Sequence, residues 1–147
     1  AYHDLFGDII FNCPTLTFAS KLSSAGQAVW VYLFDHALST GAASRLGATH
    51  ALELPFVFNN HHQPLYGSPF NEVDAALSDE MSDAWARFAH SGDPQGDAPT
   101  WRPYREPNAS ASRFDEGRVM RWSASPELLS EPIREGRCVA LEEMGFF

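Results

Sequence analysis

The chain lacks the long apolar runs and the positive charge that several classes of protein require. Its longest uninterrupted apolar stretch, Ala28 to Phe34, has seven residues, whereas a membrane-spanning helix needs about 20. Ten Lys and Arg residues stand against 19 Asp and Glu residues, giving a net charge of −9. Because an acidic surface repels phosphate backbones, we expect neither a membrane span nor a nucleic-acid partner.

Compact chemical motifs are also scarce. No Gly-x-Ser-x-Gly segment occurs, so the strained turn that exposes a serine nucleophile is missing. The two cysteines, Cys13 and Cys138, lie too far apart for a compact metal motif, and form either one long-range disulfide or two buried thiols. His61 and His62 are adjacent and would face opposite ways on a strand, so we expect a solvated loop and no metal site there.

The composition is that of one globular domain. With 147 residues, of which 44% are hydrophobic, the chain can bury roughly 68–70% of its unfolded surface. Periodicity and turn residues predict a helix over 4–22, with a kink or a new helix start near Pro14. They predict a second helix over 78–89, with Ser78 as its cap and Ser91 to Pro94 as its end, and a third over 132–144. They also predict a buried strand over 28–34, a short helix or turn over 52–58, and a hairpin over 113–122 that turns at 115–117.

The predicted strands do not complete a sheet. A strand that is apolar on both faces, as Ala28 to Phe34 is, expects parallel neighbours, and the sequence offers none. We expect Met81, Trp85 and Phe88 to form a core stripe, and Trp101 and Tyr104 to cover the sheet edge or a helix. Unpaired faces favour self-association of the chain.

One histidine stands out by its context. His50 follows a Gly-Ala-Thr loop and precedes the apolar, proline-containing run Leu54 to Phe58, with Glu53 three residues away. A histidine at the edge of a core can transfer protons near neutral pH. The sequence has no Gly-x-Ser-x-Gly turn whose serine His50 could activate. We assign no role to His3, His36 and His90.

Four segments together carry a resemblance to a known family. They are Gly7-Asp8 with Phe11-x-Cys13-Pro14; Val31-Tyr32-Leu33-Phe34; Gly47-x-x-His50-x-x-Glu53-Leu54-Pro55-Phe56-Val57-Phe58; and Met81-x-x-x-Trp85-x-x-Phe88-Ala89-x-x-Gly92-Asp93-Pro94, followed by Trp101-x-Pro103-Tyr104. In order and spacing they resemble the C-terminal portion of type-B carboxylesterases, the group of cholinesterases and p-nitrobenzyl esterases. One departure is Ala51, where the family often has Gly or Ser.

The resemblance implies an α/β fold in which residues 1–147 form a single C-terminal segment of an α/β-hydrolase domain. That segment would hold part of the central sheet, the catalytic-histidine loop and flanking helices. The implied reaction is hydrolysis of a small carboxylic ester through an acyl-enzyme, with no metal or cofactor. By resemblance His50 is the triad histidine and Glu53 supports the site indirectly, while the serine and the acid lie on an N-terminal remainder. We therefore expect this chain alone to be inactive.

Two further implications stay open at this stage. Resemblance to cholinesterase-like members implies a disulfide between Cys13 and Cys138; a bonded pair favours secretion, and free thiols favour the cytoplasm. The alternative function is that of a non-catalytic interaction module, as in cholinesterase-like adhesion proteins. A split enzyme, whose second chain supplies the serine, is a third possibility.

Overall fold

The structure is a computed structural model that describes residues 2–39, 41–60, 69–96, 101–104, 119–129 and 133–146. The backbone divides into two compact units. The first comprises Ala1–Val31, Arg102–Val119 and Leu129–Phe147, and the second comprises Tyr32–Trp101 and Met120–Leu128. None of the helices in these described ranges combines the length and apolarity of a membrane span.

The first unit begins with a helical run whose hydrogen bonding changes ahead of Pro14. Helix α1 covers Tyr2–Gly7, a π-helical segment covers Asp8–Asn12, and α2 covers Cys13–Ser24. Proline has no N–H, and its ring clashes with the carbonyl four residues earlier. The regular α-helical pattern is therefore interrupted in the turn before it. The predicted helix over 4–22 with an irregularity near Pro14 is confirmed.

A disulfide ties the two ends of the chain together within the first unit. Cys13 at the start of α2 is bonded to Cys138 in α5, which covers Glu135–Glu143, and their Cα atoms are 5.2 Å apart. Both cysteines are buried. Helix α5 is shorter than the helix predicted over 132–144, and residues 130–132 lie outside the described ranges.

A buried carboxylate reinforces the same junction. Asp8 is fully buried in the π-helical segment. Its Oδ2 accepts a hydrogen bond of 2.8 Å from Arg137 in α5, and Arg134 Nε lies 3.5 Å from Oδ1. Because an isolated buried charge is costly, the two arginines make the burial of Asp8 tolerable.

The second unit is built on a long helix, α4, that covers Glu72–Ser91. A capping box starts it: Asp74 N donates to Asn71 Oδ1, and Asn71 N donates to Asp74 Oδ2, each at 2.9 Å. The prediction that Ser78 caps this helix is wrong, because Ser78 lies inside the helix and is fully buried. The predicted end is confirmed: Gly92, with φ of +76°, terminates the helix.

The apolar stripe of α4 is buried only in part. Leu77, Met81 and Ala84 are buried, whereas Trp85 is half-buried. Phe88, predicted to be core, is 47% exposed, and that prediction is wrong. Phe88 lies in the last turn of α4, where Ala89 and His90 are exposed as well.

The described strands form a three-stranded sheet in the order β1-β2-β3. They cover Val31–Phe34, Val119–Trp122 and Glu127–Leu128, and all but the first residues of β1 and β2 belong to the second unit. Strands β2 and β3 are antiparallel, with Met120 opposite Leu128. The predicted strand over 119–122 is confirmed, and its antiparallel partner in the structure is β3. The predicted hairpin partner, Arg113 and Phe114, and the turn over 115–117 lie outside the described residues.

Strand β1 is shorter and less buried than predicted. It begins at Val31, and Tyr32 is 37% exposed, so the expectation of burial on both faces is wrong for this chain. The ring of Tyr32 meets that of Trp85 edge-on, with centroids 4.9 Å apart, and this contact leaves part of the phenol in solvent.

Aromatic rings fill the space between α4 and β2. The Trp101 ring lies 6.3 Å from that of Trp85 on α4 and 6.0 Å from that of Trp122 on β2. The prediction that Trp101 covers a helix or the sheet is confirmed. Tyr104 is buried in the first unit, where its N–H donates to the Val29 carbonyl.

Candidate active site

His50 lies on a tight turn in the second unit. The Leu52 N–H donates to the Thr49 carbonyl at 3.1 Å and closes the turn around His50 and Ala51. Of these two central residues, only Ala51 has a positive φ, at +66°, which is the pattern of a type II turn. The side chain of His50 is exposed. Exposure is what the predicted proton transfer to a group on another segment requires.

The conformation of Ala51 explains why glycine suits this position. A Cβ in the left-handed region costs roughly 1 kcal/mol, so we expect Ala51→Gly to raise the free energy of unfolding by about 0.5 to 1 kcal/mol. Urea unfolding followed by tryptophan fluorescence measures this. Ala48→Gly is the matched control: Ala48 is exposed in the same loop without a positive φ, and its replacement should lower stability by about 0.5 to 1 kcal/mol. An equal loss in both variants would contradict the strain at Ala51.

Glu53 directly precedes α3, a single-turn helix that covers Leu54–Val57. Its carboxylate does not cap the helix, is half-buried, and lines an open, mainly apolar groove of about 550 Å³. Tyr32 and Trp85 line the same groove. Burial, and after it the negative charge of Glu53, raises the pKa of the Tyr32 phenol. The charge of Glu53 therefore acts on Tyr32, and its support of His50 stays a prediction.

A buried histidine–aspartate pair, which the sequence reasoning missed, lies in the same unit. His36 follows β1 by two residues and is 4% exposed, and Asp74 of α4 is 0% exposed. The imidazole Nε2–H donates to Asp74 Oδ1 at 2.6 Å, since a carboxylate oxygen is an acceptor. The assignment of no role to His36 overlooked this bond.

One half of that pair had a readable signal. Asn71-x-x-Asp74 is a capping-box pattern ahead of the apolar stripe of α4. The prediction of Ser78 as the cap placed the start of the helix too far along the chain. The pairing of Asp74 with His36 spans 38 residues. No local pattern encodes such a contact.

Helix α4 also holds the segment that follows His50. Ser78 Oγ donates to the Phe56 carbonyl at 3.2 Å, and Asn59 Nδ2 donates to Asp79 Oδ1 at 2.9 Å. Phe56 is fully buried, and its ring lies 5.5 Å from the His36 imidazole. The loop that carries His50 is thus held at its end by side chains of α4.

The structure describes only some of the remaining candidate residues. His61 and His62 lie outside the described residues. His90 is exposed in the last turn of α4, and Cys13 and Cys138 are bonded in the first unit. Within the described ranges, no cluster of three His, Cys, Asp or Glu side chains is arranged to hold a metal ion.

The described residues of this site offer acid–base chemistry. An exposed imidazole on a closed turn can accept and return a proton. Acyl transfer needs a nucleophile as well, and the sequence has no Gly-x-Ser-x-Gly turn.

Comparison with known proteins identifies the family to which the chain is similar. Residues 1–127 match the sequence model of the carboxylesterase family. The chain is 37% identical over 107 residues to an acetylcholinesterase of Gallus gallus, covering 71% of this chain and 14% of that protein. It is 32% identical over 156 aligned residues to carboxylesterase 3B of Mus musculus, covering 93% of this chain and 27% of that protein.

Solved structures give the same result for the fold. A thermophilic PNB esterase superposes with a TM-score of 0.74 at 29% identity, over 91% of this chain and 26% of the esterase. The predicted α/β-hydrolase fold is confirmed. The chain spans between 14% and 27% of the length of these relatives. From its sequence match and its fold, the chain belongs to the carboxylesterase family.

Proposed function

We propose that this chain supplies the histidine of a serine carboxylesterase whose nucleophile and acid lie on the remainder of the protein. The observation that carries the proposal is the exposed His50, on a closed turn, in a chain that belongs to the carboxylesterase family. His50 would take the serine proton as general base and return it to the leaving alcohol as general acid. Glu53 would support the histidine without being the triad acid.

The exposed apolar side chains of the second unit support the proposal that the rest of the protein covers this surface. Several large apolar side chains are exposed there, namely Leu54, Phe58, Val73 and Phe88, and Phe58 is 75% exposed. Leu54 and Phe58 line one open apolar groove together with Trp85, and contiguous exposed apolar surface marks an interaction site. Because the chain covers at most 27% of the relatives named above, the serine-bearing remainder is the occupant that we propose.

The disulfide bears on the compartment. Cys13 and Cys138 are bonded, and disulfides persist mainly in oxidising environments such as the cell exterior. The disulfide therefore favours a secretory or other oxidising compartment for the intact protein. Its substrate would be a small carboxylic ester.

The isolated chain is expected to hydrolyse p-nitrophenyl acetate no faster than an equal concentration of free imidazole. A histidine without its serine, oxyanion hole and acid retains almost none of the rate enhancement. Activity should appear when the chain replaces the matched quarter of the thermophilic PNB esterase. Turnover by the pure chain well above imidazole would contradict the proposal. A folded chimera without turnover would also count against it and favour a non-catalytic interaction module.

A further inference from the structure

Both ends of the loop that carries His50 are held by one helix. His36 stands at the start of this loop and bonds to Asp74, and Phe56 stands at its end and accepts a hydrogen bond from Ser78. We call these four residues the loop base. All four are buried, three of them with no exposed surface.

The geometry of α4 brings the two ends together. Asp74 and Ser78 are four residues apart in a helix, so their side chains are neighbours on one face. The two loop ends consequently meet, with the His36 and Phe56 rings 5.5 Å apart and nearly perpendicular, at 76°. The His50 turn lies between them on a loop closed at its base.

Both carboxylate oxygens of Asp74 accept hydrogen bonds. Asp74 Oδ1 accepts from His36 Nε2, and Asp74 Oδ2 accepts from the Asn71 N–H of the capping box. Removing the imidazole would leave a buried oxygen without its partner, which is unfavourable in a low-dielectric interior. The same carboxylate thus starts α4 and fixes the beginning of the His50 loop.

We propose that His36 and Asp74 are positioning residues for His50: their buried hydrogen bond closes the loop and sets where the catalytic imidazole stands relative to α4. This inference rests on the proposed function for its catalytic meaning. Neither residue contacts the reacting atoms. Their effect passes through the loop base to the turn over 49–52.

Hydrogen exchange of the ¹⁵N-labelled 147-residue chain tests the proposal. In His36→Leu, we expect the amides of Leu52 and Val57 to exchange at least tenfold faster relative to amides in the second half of α4. His36→Gln retains an N–H donor near the position of Nε2 and should restore most of the protection. Asp74→Asn retains an acceptor for the Asn71 N–H, and should reproduce the His36→Leu pattern if that variant does not fold.

The control is Leu77→Ala, which removes a buried side chain of α4 outside the loop base. It should speed exchange throughout the second unit by one common factor. A common factor in His36→Leu or Asp74→Asn, or unchanged exchange at Leu52 and Val57, would overturn the positioning role.

Kinetic measurements on the active chimera distinguish a failure of this proposal from a failure of the proposed function. In the active chimera, His36→Leu should lower kcat at least tenfold with KM unchanged, and His36→Gln should recover most of the loss. A chimera that is indifferent to His50→Gln would refute the proposed function while leaving the exchange result standing. Normal kcat in His36→Leu, beside a large loss in His50→Gln, would overturn the positioning role alone.

Discussion

Replacing His50 by glutamine in the active chimera is expected to lower kcat/KM for p-nitrophenyl butyrate by about 10⁴ to 10⁶-fold. Without an imidazole, nothing removes the serine proton during attack or protonates the leaving alcohol. Binding of the ester does not depend on that proton transfer, so the loss should appear in kcat with little change in KM. Steady-state kinetics at pH 8, on protein whose far-UV circular dichroism matches the parent chimera, measures it.

His90→Gln is the matched control for this substitution. His90 is exposed in the last turn of α4, and its replacement should leave kcat/KM within about twofold, since surface changes away from a site are nearly neutral. Glu53→Gln should retain more activity than His50→Gln, because we assign the glutamate only a supporting role. A His50→Gln chimera that keeps a tenth or more of the activity would refute the assignment of His50.

The second large effect is on stability. Removing the disulfide by Cys13→Ala with Cys138→Ala is expected to lower the free energy of unfolding by about 4 to 5 kcal/mol. The bond closes a loop of 125 residues, and a cross-link of this span restricts the unfolded chain by roughly that amount. Urea unfolding of the oxidised chain and of the double variant, followed by circular dichroism at low protein concentration, gives the difference.

Reductant provides the control for the stability measurement. Dithiothreitol should destabilise the parent chain to about the level of the double variant and should leave the double variant unchanged. A difference below about 1 kcal/mol between oxidised parent and double variant would mean that the loop-entropy account does not apply here. The ion pairs of Asp8 with Arg134 and Arg137 would then hold the junction by themselves.

Features encoded within a dozen residues were predictable. The end of α4 at Gly92, the irregular helix ahead of Pro14 and the short helix after Glu53 were each expected from neighbouring residues and are present. Their hydrogen bonds close between residues three to five apart, so the sequence window that specifies them is short. The His50 segment carried the family resemblance for the same reason.

The misplaced features depend on packing. Ser78 is a residue type that often caps helices, but its hydroxyl donates a hydrogen bond to the Phe56 carbonyl, 22 residues away. Phe88 continues an apolar stripe on α4, yet is 47% exposed. Tyr32 lies in an apolar run, yet is 37% exposed. In each case the sequence states what a side chain prefers, and only its neighbours in space decide whether that preference is met.

The sequence by itself determined the family, the order of the main helices and of strands β1 and β2, and the histidine worth testing. Tertiary structure alone decided that His50 is exposed, that Ala51 adopts a left-handed φ, and that His36 bonds to Asp74 across 38 residues. The physical reason is the distance along the sequence over which each interaction acts. Periodicity and capping act along the chain, whereas burial and the pairing of polar groups arise only when distant segments exclude water together.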